Sequence, residues 1–298
     1  MSKVTIVIPA RNELYLQRCI DDVLEKAEGD IEIILVFDNY WPAPIIKDDP
    51  RITMIHWGKR LGMRAANNAA ACIGKGEYLM KLDGHCLMDQ GFDVKLAADC
   101  DDDWVVTPRR YSLVAETWTQ KDKPVVQYEY LSYPYKDGEE VGLHARYWWK
   151  ERDRARAEIE IDENMAFQGS CWFMKMEYFN RLIYPMDEAN YGMFIGEPQE
   201  IGLKVWLSGG KNILNKKTWY GHLWKGKEYR KLHMELLGIP YTRVSRSEMV
   251  RGNQFSTDFW FNNRWEDRKH DLSWLVERFW PVPTWPEDRS LWTNSHTS

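Results

Sequence analysis

Glu77-Tyr78-Leu79-Met80-Lys81-Leu82-Asp83-Gly84-His85-Cys86 is the stretch whose reading decides the fold. Tyr78 to Leu82 has the length and apolar content of a central strand, and the run stops abruptly on an acid, a glycine and an imidazole. In an open α/β sheet, ligands gather at the carboxyl ends of strands, so Asp83 and His85 stand where a ligand would bind. Side chains two apart in extended chain point the same way. Asp83 and His85 are therefore expected to face one ion, with Gly84 letting a ligand approach the backbone. A carboxylate with an imidazole suits Mn²⁺, or Mg²⁺. Taken alone, D-G-H is more often a solvated turn; the strand before it and the partners elsewhere carry the reading.

Working outward, Val4 to Pro9 is a β-rich run closed by proline, and Ala10-Arg11-Asn12-Glu13 is a loop. Leu14, Leu16, Cys19, Ile20, Val23 and Leu24 then recur at helix spacing, and Gly29 is expected to end that helix. Ile31 to Phe37 is a second strand running into Asp38, and Ile52 to Trp57 a third. Gly62 to Ile73, rich in alanine and asparagine, is a helix able to pack closely on a sheet. Strand, helix, strand in this order predicts right-handed βαβ units and parallel pairing. The loop after the first strand is not G-x-G-x-x-G, so a dinucleotide cofactor is not expected.

Beyond residue 88 the spacing predicts a helix over Phe92 to Ala98 and a strand near Trp104 to Thr107. A helix or connection with a solvated charged face is expected over Arg146 to Arg156, including Trp149 and Lys150. Phe167 to Met174 reads as a strand, Tyr178 to Ile183 as a short helix, and Gly196 to Leu207 as a helix. Pro198 and the acids Glu197 and Glu200 fit its first turn. Asn212 to Leu214 leads to Trp219-Tyr220-Gly221-His222-Leu223-Trp224.

A net charge of −5 is too small to declare a charged partner, and five cysteines without C-x-x-C spacing argue against structural zinc or a disulfide framework. Reduced thiols in a cytoplasm are expected. Met1-Ser2-Lys3 leads directly into a strand, without the pattern of a signal peptide, and no stretch approaches a membrane span.

Four blocks now resemble a GT-A glycosyltransferase, and within that group the catalytic domain of polypeptide N-acetylgalactosaminyltransferases: V-I-P-A-R-N-E at 7–13, I-I-L-V-F-D-N at 33–39, G-K-G-E-Y-L-M-K-L-D-G-H-C at 74–86, and G-E-P-Q-E-I-G-L-K-V-W-L-S-G-G at 196–210 with G-H-L-W at 221–224. The resemblance implies an α/β protein with one Rossmann-like mixed sheet, flanking helices and a Trp-rich C-terminal extension. Its catalytic domain would span 1–226, with a nucleotide-sugar half at 1–110 and an acceptor half at 111–226, and the extension at 227–298 would pack on it.

By the same resemblance, Asp38 holds the nucleobase, and Asp83, His85 and His222 ligate Mn²⁺ on the diphosphate of a nucleotide sugar, with a lean to UDP. Pro9, Arg11, Glu13, Arg64, Asn67, Asn68, Gly84 and Trp224 lie toward the donor, as do Gln168 and Gly169, where only glycine would let a sugar sit against backbone. Glu197 and Glu200, three apart on one helix face, are expected to point into the acceptor cleft. Inverting relatives carry an aspartate base where this chain has Pro198, so retention of anomeric configuration is expected, with Glu197 positioning sugar or acceptor.

The acceptor is less legible. With neither a lectin domain after residue 226 nor an anchor before residue 3, a secretory protein-glycosylating role is not expected. Lys204 to Arg251 carries eleven Lys and Arg, among them Lys216, Lys227, Arg230 and Arg243, against three Glu. Trp206, Trp219, Tyr220, Trp224, Tyr229 and Tyr241 are interleaved with them. That footprint suits phosphate contact with base stacking, and hence transfer to hydroxymethylated bases of viral DNA; a solvated basic face is the plainer alternative. A sugar-phosphate nucleotidyltransferase and an inactive binder also remain open. The tail from Asn262 to Ser298, with five tryptophans, is expected to cover the sheet.

Overall fold

The computed structural model describes residues 3–11, 13–137, 139–148, 151–238 and 244–293, without the side chains of Glu151, Glu228 and Tyr229. Asn12, Trp149, Lys150, Tyr241, Arg243 and residues 294–298, all drawn on above, lie outside the described residues.

Strands β1 (Val4–Ala10), β2 (Ile31–Asp38), β3 (Ile52–Trp57) and β4 (Tyr78–Leu82) are parallel and lie in the order β3-β2-β1-β4. Every residue of β4 is buried, as a strand covered on both faces requires. The rest of the sheet reverses direction. β13 (Cys171–Lys175) runs antiparallel to β4 with Cys171 opposite Leu82, and it pairs β6 (Trp104–Val114), which lies parallel to β14 (Lys211–His222). β12 (Ile161–Glu163) closes that edge, while β5 (Cys86–Met88) joins the end of β14 and β7 (Thr119–Gln120) joins β6. Two small ribbons pair β8 (Glu129–Leu131) with β11 (Ala145–Tyr147) and β9 (Tyr135–Lys136) with β10 (Glu139–Glu140).

Alternation along β1 sends Ile6 and Ile8 to one face and Val7 to the other. The first face packs on Leu16, Ile20 and Val23 of α1 (Leu16–Lys26) and on Phe92 and Leu96 of α3 (Phe92–Ala98). The second packs on Ala66 and Ala70 of α2 (Met63–Ile73), Phe179 of α5 (Met176–Leu182), and Ile201 and Val205 of α7 (Glu197–Leu207). α1 ends at Lys26, capped by Ala27, so Gly29 lies beyond its end.

A third core joins the C-terminal part of the chain to the middle. Trp260 and Phe261 of α9 (Arg246–Phe261), Leu272, Leu275 and Val276 of α10 (Leu272–Arg278), and Trp285 and Trp292 pack with Tyr128, Leu131, Trp148 and Trp206. Trp285 Nε1 donates to Leu131 O at 2.7 Å, and Trp260 Nε1 to Tyr191 Oη at 2.7 Å in α6 (Glu188–Tyr191). The aromatic tail is thus largely core, and Trp260, Trp285 and Trp292 bury their rings while their N–H groups find acceptors. α8 (Lys227–Leu236) carries Leu232 and Leu236 on its exposed side.

Three local expectations change. The strand expected from Phe167 starts only at Cys171, leaving Gln168 and Gly169 in the turn before it. Asn212 and Trp219 belong to one long strand, interrupted by a register shift between Asn215 and Trp219. Arg146 to Arg156 does not present a simple solvated face: within α4 (Glu151–Ala155), Arg152 lies 4.9 Å from the Trp148 ring centroid and 5.0 Å from that of Phe279.

Candidate active site

Topology brings distant residues to the end of β4. Because β13 runs antiparallel to β4, its start meets the end of β4, and Asp83 N–H donates to Ser170 O at 2.9 Å. β14 ends beside β5 with His222 opposite Cys86, and Leu223 N–H donates to His85 O at 3.2 Å. Asp83, Gly84 and His85 form a turn, so strand alternation is not what aligns the acid and the imidazole. The turn achieves the same convergence.

His222 Nε2 lies 3.3 Å from Asp83 Oδ2 and 3.1 Å from His85 Nε2, and His85 Nε2 is 3.9 Å from Asp83 Oδ2. All three ligand atoms fall within 4.8 Å of one another. Two ligands of one ion with bonds of about 2.1 Å sit roughly 3 to 3.5 Å apart, so the spacing fits a divalent cation. The donor set of two imidazoles and one carboxylate suits Mn²⁺.

The surroundings prepare each ligand. His85 Nδ1 donates to Glu13 Oε2 at 2.9 Å, which leaves the Nε2 lone pair toward the cluster. Burial would push the Glu13 carboxyl up, but Lys225, bonded to both its oxygens at 2.7 Å, and His85 outweigh it and hold it down to about 2. Burial pushes His222 down to about 4, against the pull of Asp83, so its imidazole is neutral and ready to ligate. Burial also opposes charge on Asp83, yet Lys81, His222 and His85 hold its carboxyl far below the usual range.

Lys81 is the residue that sequence reasoning missed. Its ammonium, buried in the middle of the sheet, donates to Asp83 Oδ1 and to Gly169 O, leaving Oδ2 for the histidines. Burial alone would lower its pKa; Asp83 and Glu197 more than reverse that. The signal was available: a lysine inside an otherwise apolar strand needs a buried counter-ion, and an acid stands two residues on.

Other expected site residues have different neighbours from those anticipated. Glu197, 0% exposed, accepts from Trp172 Nε1 at 2.6 Å and Asn67 Nδ2 at 3.3 Å, and burial raises its pKa. A Cβ on Gly169 would lie 2.1 Å from Glu197 Oε2. The glycine therefore admits a protein carboxyl on that side, where a sugar was expected. A Cβ on Gly84 would likewise meet Leu16 Cδ1 at 3.0 Å and Glu13 Cγ at 3.3 Å, so its near side is filled by protein. Glu200, expected toward the acceptor, pairs with buried Arg64 and, at 2.8 Å, with Lys204. Arg64 also donates to Ile195 O at 2.6 Å and lies 4.2 Å from the Tyr191 ring centroid. Arg64 and Glu200 thus neutralise each other in the core. Asn68 binds Met186 O and Glu188, fastening α2 to the segment before α6.

At the end of β2, Asp38 accepts from Leu61 N–H at 2.6 Å and Gly62 N–H at 3.2 Å, while Arg11 donates to Asp38 O at 2.7 Å. Pro9 lies within β1 opposite Val36. Gln168 Nε2 donates to Tyr147 Oη at 3.4 Å. Trp224, two residues past His222, is 70% exposed.

Four of the ten described cations of the basic window pair with acids. Lys204 meets Glu200, Lys211 meets Glu163, Lys217 meets Asp99 and Lys225 meets Glu13, while Lys216 donates to Arg156 O. Trp206 and Tyr220 are core residues. Lys217, Lys227, Arg230, Lys231, Arg246 and Arg251 are exposed. No described helix is long and apolar enough to cross a membrane.

Comparison with known proteins agrees with this architecture. The chain is 26% identical over 245 residues to polypeptide N-acetylgalactosaminyltransferase 11 of Xenopus tropicalis, covering 74% of this chain and 38% of that protein. It is 24% identical over 176 residues to glycosyltransferase GlyG of Streptococcus pneumoniae, covering 57% and 51% respectively. The chain thus spans about two fifths to one half of the length of these relatives. Among solved structures, it superposes on GalNAc-T7, solved with UDP, GalNAc and Mn²⁺, with a TM-score of 0.56 and 16% identity over 80% of this chain and 48% of that one. That likeness concerns the fold, which is GT-A as the sequence motifs implied. Residues 5–183 match the family description "Glycosyl transferase family 2", and the chain belongs to that family.

Proposed function

We propose that the protein transfers a hexose or N-acetylhexosamine from a nucleotide sugar, a UDP-sugar first among them, to an acceptor hydroxyl in a reaction that depends on Mn²⁺ or Mg²⁺. The observation that carries this reading is the convergence of Asp83 Oδ2, His85 Nε2 and His222 Nε2 at the carboxyl end of β4. The GalNAc-T7 structure holds UDP and Mn²⁺ on the same fold. A cation held by these three residues would supply Lewis-acid charge to the departing nucleoside diphosphate. Glu13 keeps His85 in the ligating tautomer, and Lys81 neutralises one oxygen of Asp83.

Retention of configuration is part of the proposal. Glu200 is paired with Arg64, Glu197 accepts from Trp172 and Asn67 through Oε1 while its buried Oε2 has no hydrogen-bond partner, and Pro198 stands where inverting relatives carry an aspartate base. Pairing of Lys204, Lys211, Lys217 and Lys225 with acids reduces the charge open to a DNA acceptor, while Lys227, Arg230, Lys231, Arg246 and Arg251 stay exposed.

The test is incubation of the full chain with UDP-glucose, UDP-galactose and their N-acetylamino counterparts in Mn²⁺. Release of UDP that stops on chelation is expected. Release of pyrophosphate from a nucleoside triphosphate and sugar phosphate, with UDP-sugars untouched, would make the protein a nucleotidyltransferase instead.

A further inference from the structure

Beside the candidate metal site, a cavity of about 20 Å³ is lined by Arg110, Gln127, Glu129, Asn164, Gln168 and Tyr220, among others. That is room for a single water-sized group. Three of its buried polar atoms, Arg110 Nη2, Gln127 Oε1 and Glu129 Oε1, have no hydrogen-bond partner. Arg110 and Glu129 are 7% and 4% exposed, and their facing atoms stand 3.6 Å apart, too far for a direct hydrogen bond and close enough to share a third group. A buried donor and two buried acceptors left open in one recess ask for an occupant.

The recess adjoins the proposed site through its walls. Gln168 precedes Gly169, whose carbonyl holds Lys81, and Tyr220 stands two residues before His222 and hydrogen-bonds Ser170 Oγ at 2.7 Å. The field of Arg110 reaches His222. Burial pushes the Glu129 carboxyl up to about 7, partly countered by the Arg110 guanidinium with which it forms a loose ion pair at 3.6 Å and by the Gln168 backbone N–H.

We propose that this recess receives one hydroxyl of a saccharide, which accepts from Arg110 and donates to Glu129 or Gln127, and that it sets which sugars the enzyme handles. A hydroxyl both donates and accepts, as the lining demands; a phosphate oxygen would face two acceptors, and a methyl group would leave all three atoms unpaired. This rests on the glycosyltransferase reading. The hydroxyl would belong either to the donor hexose or to the acceptor.

The experiment compares the full-length wild type with an Arg110→Met, Glu129→Leu double variant, which removes both charges together so that neither is left buried alone. Calorimetry with UDP and Mn²⁺ should give the same affinity in both proteins. If the donor supplies the hydroxyl, the advantage of UDP-glucose or UDP-galactose over UDP falls about 10- to 100-fold in the variant. If the acceptor supplies it, that advantage persists, and saturation-transfer signals from methyl glucoside, methyl galactoside or their N-acetylamino analogues disappear in the variant alone. Both arms unchanged would mean that the recess holds only water, and the proposal would be overturned. A wild type that binds no UDP at all would remove the glycosyltransferase reading itself, and the subsite with it.

Discussion

Asp83 and Lys81 are coupled, and that coupling changes what a simple knockout reports. Asp83→Ala leaves a fully buried ammonium without its counter-ion, so about 3–5 kcal/mol of stability should go with it. Adding Lys81→Met should recover most of that stability without restoring metal binding. Denaturant melts of the two single variants and the double variant check this; strictly additive losses would show that the pair is not coupled. Glu13→Gln should weaken Mn²⁺ binding about 10- to 100-fold with the fold intact, because His85 loses the partner that fixes its tautomer.

At Glu129 the folded carboxyl titrates at about 7 against an ordinary 4.5. A raised folded pKa contributes stability that is full below pH 4.5 and lost as pH rises through 7. The wild type should therefore lose roughly 3 kcal/mol relative to Glu129→Gln between those limits, measured as paired melts across pH. Parallel curves would contradict the assignment. At this scale the meeting of Asp83 and His85 was legible from the strand end, and that of His222 with them only from the family resemblance. Lys81 was not, since nothing in its spacing tells a buried lysine from an edge one until the strands on both sides are known.

Among elements, α7 departs most from its sequence reading. Acids at a helix start that share a face look alike whether they meet substrate or core, and only α2, 130 or more residues away in sequence, decides between them. Arg64 claims Glu200, so Glu200→Gln should cost several kcal/mol of stability as the buried guanidinium loses its charge partner, with turnover per folded molecule unchanged. A selective loss of turnover at full stability would contradict this structural role for Glu200. β1, β2 and β4, by contrast, were readable almost residue by residue, because strands covered on both faces are written as continuous apolar runs. β13 and β14 were blurred: a turn and a register shift interrupt their patterns without changing composition.

In the whole molecule, the tail tryptophans expected to cover the sheet pack between the C-terminal helices and the middle of the chain, and of the three read as a stacking footprint Trp206 joins them while Trp224 stays exposed. Trp285→Ala should cost about 3–5 kcal/mol and free the Leu131 carbonyl in a buried setting, seen as a lower melting point. A neutral result would mean that this core is not cooperative with the sheet. The basic window was overcounted for a related reason: a count along the sequence cannot see Glu13, Asp99 or Glu163 arriving from other strands and loops.

His222 joins Asp83 and His85 only because a twelve-residue strand ends beside β5, and the cation that this meeting would hold is the centre of the functional reading. The most direct measurement is titration of Mn²⁺ into the full chain with UDP present, following free Mn²⁺ by electron paramagnetic resonance, for the wild type and for His222→Ala. One equivalent bound by the wild type and none, or binding at least tenfold weaker, in the variant is the expected result. Equal binding by both proteins, or none by the wild type, would contradict it.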